Sequence, residues 1–133
     1  MNIRRSSEDY LEAMLMLKLK NGFIRSVDIA ELLGVTKPSV SYATKRLREN
    51  GYITMESDGE INLTEMGMEI AGRMYERHTI LSKVLMQLGV SEATAKQDAC
   101  KIEHDLSVET FEAIRRHAYT IDAEIREKEI HGK

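Results

Sequence analysis

The stretch SVDIAELLGVTKPSVSYATKRLREN, residues 26–50, decides how the chain is read. Ser26 caps a short helix from Val27 to Leu33 that closes at Gly34. Thr36 caps a second helix with Pro38 in its first turn, running to about Glu49 before Asn50-Gly51. Two helices joined by a glycine-containing turn predict a helix-turn-helix. Directly after it, Tyr52-Ile-Thr-Met-Glu56 and Glu60-Ile-Asn-Leu63 flank Ser57-Asp58-Gly59. Alternating residues around an Asp-Gly turn predict a small hairpin, the wing.

Working outward, a helix is expected from Ser6 or Ser7 to about Lys20, with Leu11, Met14 and Leu15 facing inward and Asn21-Gly22 ending it. Thr64 starts a long helix through His78 to about Leu88. Ser91-x-x-Thr94 opens a helix carrying Cys100, Glu103 and His104. Ser107-x-x-Thr110 opens a last helix through Phe111, Ile114, Ala118 and Ile121, and the charged residues after Ile125 are expected to fray. The fold class is therefore mainly α with a small β-hairpin. A winged helix-turn-helix occupies residues 1–63, and a helical domain occupies residues 64–133.

At 133 residues, with 42% hydrophobic and 5% aromatic residues, the chain suits one compact helical domain or two small ones sharing a core. No apolar run approaches the ~20 residues that span a bilayer, so no membrane association is expected. The N-terminal residues lack the apolar core of a signal peptide. A single cysteine cannot form an internal disulfide; these features together predict a cytoplasmic protein. The net charge of −3 places DNA affinity on a local basic surface, because residues 1–60 hold nine Lys/Arg and nine Asp/Glu. That surface is the second helix of the pair, where Thr36, Lys37, Ser39, Ser41, Tyr42 and Lys45 are placed for base edges and Arg46 for phosphate. The simpler reading of the same residues is the solvated face of a helix. The wing carries Glu56, Asp58 and Glu60 and no basic residue, so it is expected to add little phosphate contact.

Six further residues carry a different chemistry. Asp9 and Glu12 are spaced i, i+3, His78 follows, and Cys100, Glu103 and His104 have i, i+3, i+4 spacing. On a continuous helix the last three would share one face. Thiolate, carboxylate and imidazole together are costly unless a cation binds them. Each residue also has a plainer reading. Asp9 suits a first-turn carboxylate favouring the helix dipole, Glu12 a solvated position, His78 a core histidine, and Cys100 a small buried hydrophobe.

Ser6-Ser-Glu-Asp9-Tyr10-Leu-Glu12, Asp28-Ile-Ala-Glu-Leu-Leu-Gly-Val, Leu63-Thr-x-x-Gly67, Arg77-His78 and Ile102-Glu103-His104-x-Leu-Ser107 resemble the diphtheria toxin repressor family. These are iron- or manganese-dependent bacterial repressors, and the resemblance runs from about residue 5 to residue 125. It implies a non-enzymatic, metal-dependent repressor that binds a double-stranded DNA operator as a homodimer, with no organic substrate. It implies that residues 64–133 form a metal-binding and dimerisation domain. It also implies that Asp9, Glu12, His78, Glu103 and His104 are metal ligands. The Asp9/Glu12 pair and the chain length resemble the manganese-responsive branch, whereas Cys100 resembles the iron-responsive branch. Ser82 and Lys96 occupy positions of that branch's second site and are not ligands, so that site is not expected. Thiolate favours Fe(II) or Zn(II) over Mn(II), so the expected cofactor is a divalent transition metal, Fe(II) ahead of Mn(II), with Zn(II) third. The rival reading keeps the DNA reader and replaces metal with a small organic ligand; a metallo-hydrolase would leave the helix-turn-helix unexplained.

Overall fold

The computed structural model describes residues 5–131. Their order is α1 (Arg5–Asn21), α2 (Ser26–Leu33), α3 (Lys37–Glu49), β1 (Ile53–Met55), β2 (Ile61–Leu63), α4 (Glu65–Gln87), α5 (Glu92–Ile102) and α6 (Val108–His131). The chain divides into two compact units, one ending at Tyr75 and the other beginning at Glu76, so α4 contributes to both. The mainly helical class with one antiparallel hairpin is the class expected from sequence.

In the first unit, Leu11, Met14 and Leu15 of α1 are buried in one cluster with Ile24, Ile29, Val40, Leu47, Ile53 and Ile61. Each helix of the reader thus contributes its apolar positions to the core, and burying each large aliphatic side chain stabilises the unit by about 1.5–3 kcal/mol. Gly34 closes α2 at φ 67°, a left-handed conformation that glycine adopts without strain, and its N–H returns to Ala30 O. Thr36 then caps α3, its side chain accepting from the Ser39 N–H. The cap of α2 differs from the expectation. Arg25, extended at φ −130°, is the N-cap residue and Ser26 is already helical. The Arg25 side chain is drawn instead to the wing turn, where its Nη1 donates to Asp58 O at 3.1 Å.

The hairpin pairs Ile53 with Leu63, Thr54 with Asn62 and Met55 with Ile61. Its outer edge receives one more bond, from Ile61 N–H to Ile24 O at 2.9 Å, which fastens the wing to the link after α1. Thr64 joins the hairpin to α4. Its hydroxyl donates towards Gly51 O and Tyr52 O and accepts from Gly67 N–H at 3.2 Å.

In the second unit, Ile80, Phe111 and Ala118 form a small core with Val84 and Ile114 packed against it. Phe111 and Ile114 of α6 thus complete the core of this unit. Ser91 and Ser107 cap α5 and α6 by accepting from Thr94 N–H and Thr110 N–H. Lys83 pairs with Asp122 and Arg115 with Glu76, tying α6 to α4, while Arg115 also pairs with Glu112 within α6. The helix α6 continues to His131 past the point where fraying was expected. Strong helix formers and the i, i+4 spacing of Glu124 and Lys128 favour that continuation. No helix among the described residues is long and apolar enough to cross a membrane.

Gly67 yields a direct prediction. A Cβ there would lie 2.0 Å from the Tyr52 carbonyl oxygen, a backbone atom that the Thr64 hydroxyl already holds. Alanine's helix propensity would favour the substitution by about 1 kcal/mol, but the clash with fixed backbone outweighs it. Gly67→Ala is expected to destabilise the chain by roughly 3 kcal/mol, read as a lower midpoint in urea denaturation; an unchanged or raised midpoint would show that this close approach is not obligatory.

Candidate metal centre and DNA-reading helix

The cluster Cys100, Glu103 and His104 was expected on one face of one helix. The helix α5 ends at Ile102, however, so Cys100 occupies its last turn, Glu103 is the C-cap residue and His104 lies in the turn beyond. Glu103 keeps helical dihedrals and its N–H bonds to Ala99 O, while Asp105 N–H closes a tighter turn onto Ile102 O at 3.1 Å. Glu103 and His104 therefore project from a turn, with His78 of α4 opposite Glu103.

Three of the six candidate ligands converge within the second unit. His78 Nδ1 is 3.1 Å from Glu103 Oε2, and Cys100 Sγ is 3.7 Å from the same His78 nitrogen. One ligand atom from each lies within 4.8 Å of the other two. Two atoms bound to one ion at ~2.1–2.3 Å, subtending ordinary coordination angles, are roughly 3.0–3.8 Å apart, and the two measured separations fall in that range. The Glu103 side chain is wholly buried and its Oε1 has no hydrogen-bond partner, its ionic neighbour being His104 Nε2 at 3.5 Å. A buried carboxylate oxygen left in this state is costly, and a cation relieves it. Imidazole, carboxylate and thiol are also the donor set of first-row divalent metals. The residues present fit such an ion.

Cys100 is exposed, not packed as a small hydrophobe. The Cys100 sulfur, and after it the Glu103 carboxylate, hold the His78 pKa up to about 10 against the opposing effect of burial. His78 is thus held towards its protonated form, and an ion bonding its nitrogen would displace that proton. Asp9 and Glu12 lie on α1 in the first unit, one turn apart, Asp9 half-buried and Glu12 buried.

Sequence reasoning passed over Arg77. It is 6% exposed; its Nη1 donates to Glu103 O at 2.9 Å and Leu106 O at 2.8 Å, and the guanidinium lies over the Phe111 ring at 5.1 Å. The signal was its place directly before His78, but an arginine on a polar helix gives no hint that it turns inward.

On α3, Thr36, Lys37, Ser39, Ser41, Tyr42 and Lys45 are exposed and Arg46 is half-exposed. Thr36 Oγ1 and Ser39 Oγ are hydrogen-bonded to each other at 2.8 Å. The Arg46 guanidinium stacks on Tyr42, 5.7 Å from the ring centroid, and donates to its hydroxyl at 3.3 Å. The acidic wing has a cation beside it after all, since Arg25 lies 3.8 Å from the Asp58 carboxylate.

Comparison with known proteins follows the same division. Residues 2–61 match the family model described as the iron dependent repressor, N-terminal DNA binding domain. Residues 64–131 match the iron dependent repressor, metal binding and dimerisation domain. An HTH-type transcriptional regulator from Methanocaldococcus jannaschii is 37% identical over 113 residues, covering 84% of this chain and 90% of that protein. The transcriptional regulator MntR of Salmonella typhimurium is 39% identical over 110 residues, covering 83% of this chain and 70% of that protein. The structure of the manganese regulator SloR superposes with a TM-score of 0.74 at 25% identity, over 88% of this chain and 54% of that regulator, so the chain spans about half its length. With both halves matched in order, the chain belongs to the iron-dependent repressor family, the diphtheria toxin repressor family of metal-dependent, DNA-binding transcriptional repressors.

Proposed function

We propose that the metal to which this repressor responds is held by His78, Cys100, Glu103 and His104, with Asp9 and Glu12 adding carboxylates from α1. The carrying observation is the convergence of His78 Nδ1, Cys100 Sγ and the Glu103 carboxylate, whose ligand atoms lie within 4.8 Å of one another. Support for Asp9 and Glu12 comes from their i, i+3 spacing and the family resemblance. With them in the ligand set, metal binding couples the DNA-reading residues 1–63 to residues 64–133, and a homodimer so fixed presents two α3 helices to an operator. Converting a mostly incompetent population into a mostly competent one requires a preference of roughly 5 kcal/mol for the competent state. Several charge-assisted ligand bonds suffice for that.

The choice of ion turns on Cys100. Its thiol favours Fe(II), in keeping with the iron dependent repressor family, over Mn(II), the metal of the regulator SloR, and Zn(II) is third. The rival organic-ligand reading has no comparable donor cluster behind it. The proposed action is that of a DNA-bound regulator and requires no catalytic chemistry.

The deciding experiment measures operator DNA affinity of the chelated protein, then with Fe(II), Mn(II) or Zn(II) under reducing conditions. Affinity is expected to rise with metal, and Cys100→Glu to shift the Fe(II)/Mn(II) preference towards Mn(II) by about tenfold. Equal affinity in every condition would falsify metal control at this cluster, and unchanged selectivity in the variant would remove Cys100 from the ligand set.

Proton competition supplies a second expectation. The raised His78 pKa stabilises the metal-free fold fully below about pH 6.5, and that contribution is lost as pH climbs towards 10. Metal requires the neutral imidazole, so binding expels the proton. The metal-induced rise in Tm is therefore expected to be larger at about pH 8.5 than at about pH 6.5; a rise that shrinks with pH would exclude His78 as the displaced acid.

For DNA, Lys45→Ala is expected to weaken binding on all sequences alike and to reduce the slope of log affinity against log salt by about 1, with metal affinity unchanged. A loss confined to one operator sequence would instead make Lys45 a base reader.

A further inference from the structure

We infer that Arg77 is a positioning residue for the metal cluster: it holds the turn from which Glu103 and His104 project, while its chain neighbour His78 meets the Glu103 side chain. This rests on the metal reading proposed for the same cluster.

Glu103 is gripped at two points from one helix. Its carbonyl oxygen accepts from Arg77 Nη1 at 2.9 Å, and its carboxylate Oε2 lies 3.1 Å from His78 Nδ1. Arg77 Nη1 also donates to Leu106 O at 2.8 Å, spanning the whole turn that follows α5. Both carbonyls lie at or beyond the end of α5, where helix geometry leaves backbone acceptors without intrahelical donors. The guanidinium lies over Phe111, which is 5% exposed and belongs to the second unit's core. Arg77 therefore links α4, the ligand-bearing turn and α6 through one buried, planar group.

This arrangement is not one that stability alone would select. Burying a guanidinium costs several kcal/mol unless its donors are well matched, and Arg77 Nε has no hydrogen-bond partner among the described residues. A methionine or leucine would fill the space without that cost. The guanidinium does what neither can, since it donates to two backbone carbonyls of the turn. Ligand affinity depends on groups that fix the orientation of the ligating side chains, and the turn at residues 103–106 has no regular secondary structure to fix it.

The sign of one substitution separates this role from an electrostatic one. Arg77→Met keeps apolar volume against Phe111 and removes a positive charge beside a cation site. On charge alone it would tighten metal binding; loss of positioning weakens it. The experiment titrates Mn(II), and Fe(II) anaerobically, into the full chain by chelator competition at 25 °C, with far-UV circular dichroism confirming that each protein is folded. A purely structural role lowers Tm but leaves the affinity of the folded chain unchanged.

Arg77→Met is expected to bind roughly 10–100-fold more weakly than the wild type. Binding less than threefold weaker, equal or tighter overturns the inference. If the Met variant is not folded, Arg77→Lys decides. It keeps the charge but lacks the planar group that bonds both carbonyls while stacked on Phe111; at least threefold weaker binding supports positioning, and anything less overturns it. A wild-type chain that binds neither ion defeats the metal reading itself, a different result from a wild type that binds and a variant that binds as well.

Discussion

A carboxylate with no solvent exposure stands at the end of α5, and the second unit is arranged to satisfy it. A carboxyl group removed from water needs hydrogen-bond donors or opposite charge close by. His78 supplies both from α4, and Arg77 holds the backbone of the same residue. In the metal-free chain a proton on His78 does part of the neutralising. Under the proposed ligand set, the proton and the metal compete for the same His78 nitrogen.

The first unit is built on a different constraint, close backbone contact. Gly67 approaches the Tyr52 carbonyl too closely for any Cβ, and Thr64 binds the same carbonyl and the Gly51 oxygen. That contact seats the start of α4 against the segment between α3 and the wing. The helix that emerges from this joint is the one that carries Arg77 and His78 into the second unit.

Much of this was legible from residues 26–67. Capping residues, the glycine after α2 and the Asp-Gly turn are local signals, and local signals set the elements they belong to. The Thr36 cap and the hairpin register follow from them. The ligand cluster was legible as a set of residue types but not as a geometry. Helical spacing placed Cys100, Glu103 and His104 on one face, whereas α5 ends at Ile102, and Arg77 from a distant helix binds the Glu103 and Leu106 carbonyls of the turn that follows. Arg25 illustrates the same limit: it, and not Ser26, is the N-cap residue of α2, and its side chain meets Asp58 far along the chain. Tertiary capture of a long cationic side chain leaves no periodicity in the sequence.

The stacked pair on α3 bears on how recognition is achieved. Arg46 lies on the Tyr42 ring and bonds its hydroxyl, so a long, flexible side chain is already restricted before any partner arrives. Immobilising such a side chain on binding ordinarily costs about 0.5–1.5 kcal/mol of conformational entropy. Here much of that ordering belongs to the free protein, and the Thr36–Ser39 hydroxyl pair extends it to the first turn of the helix. On the proposed reading surface these side chains are thus already paired with one another, so part of the ordering that DNA contact requires is in place beforehand.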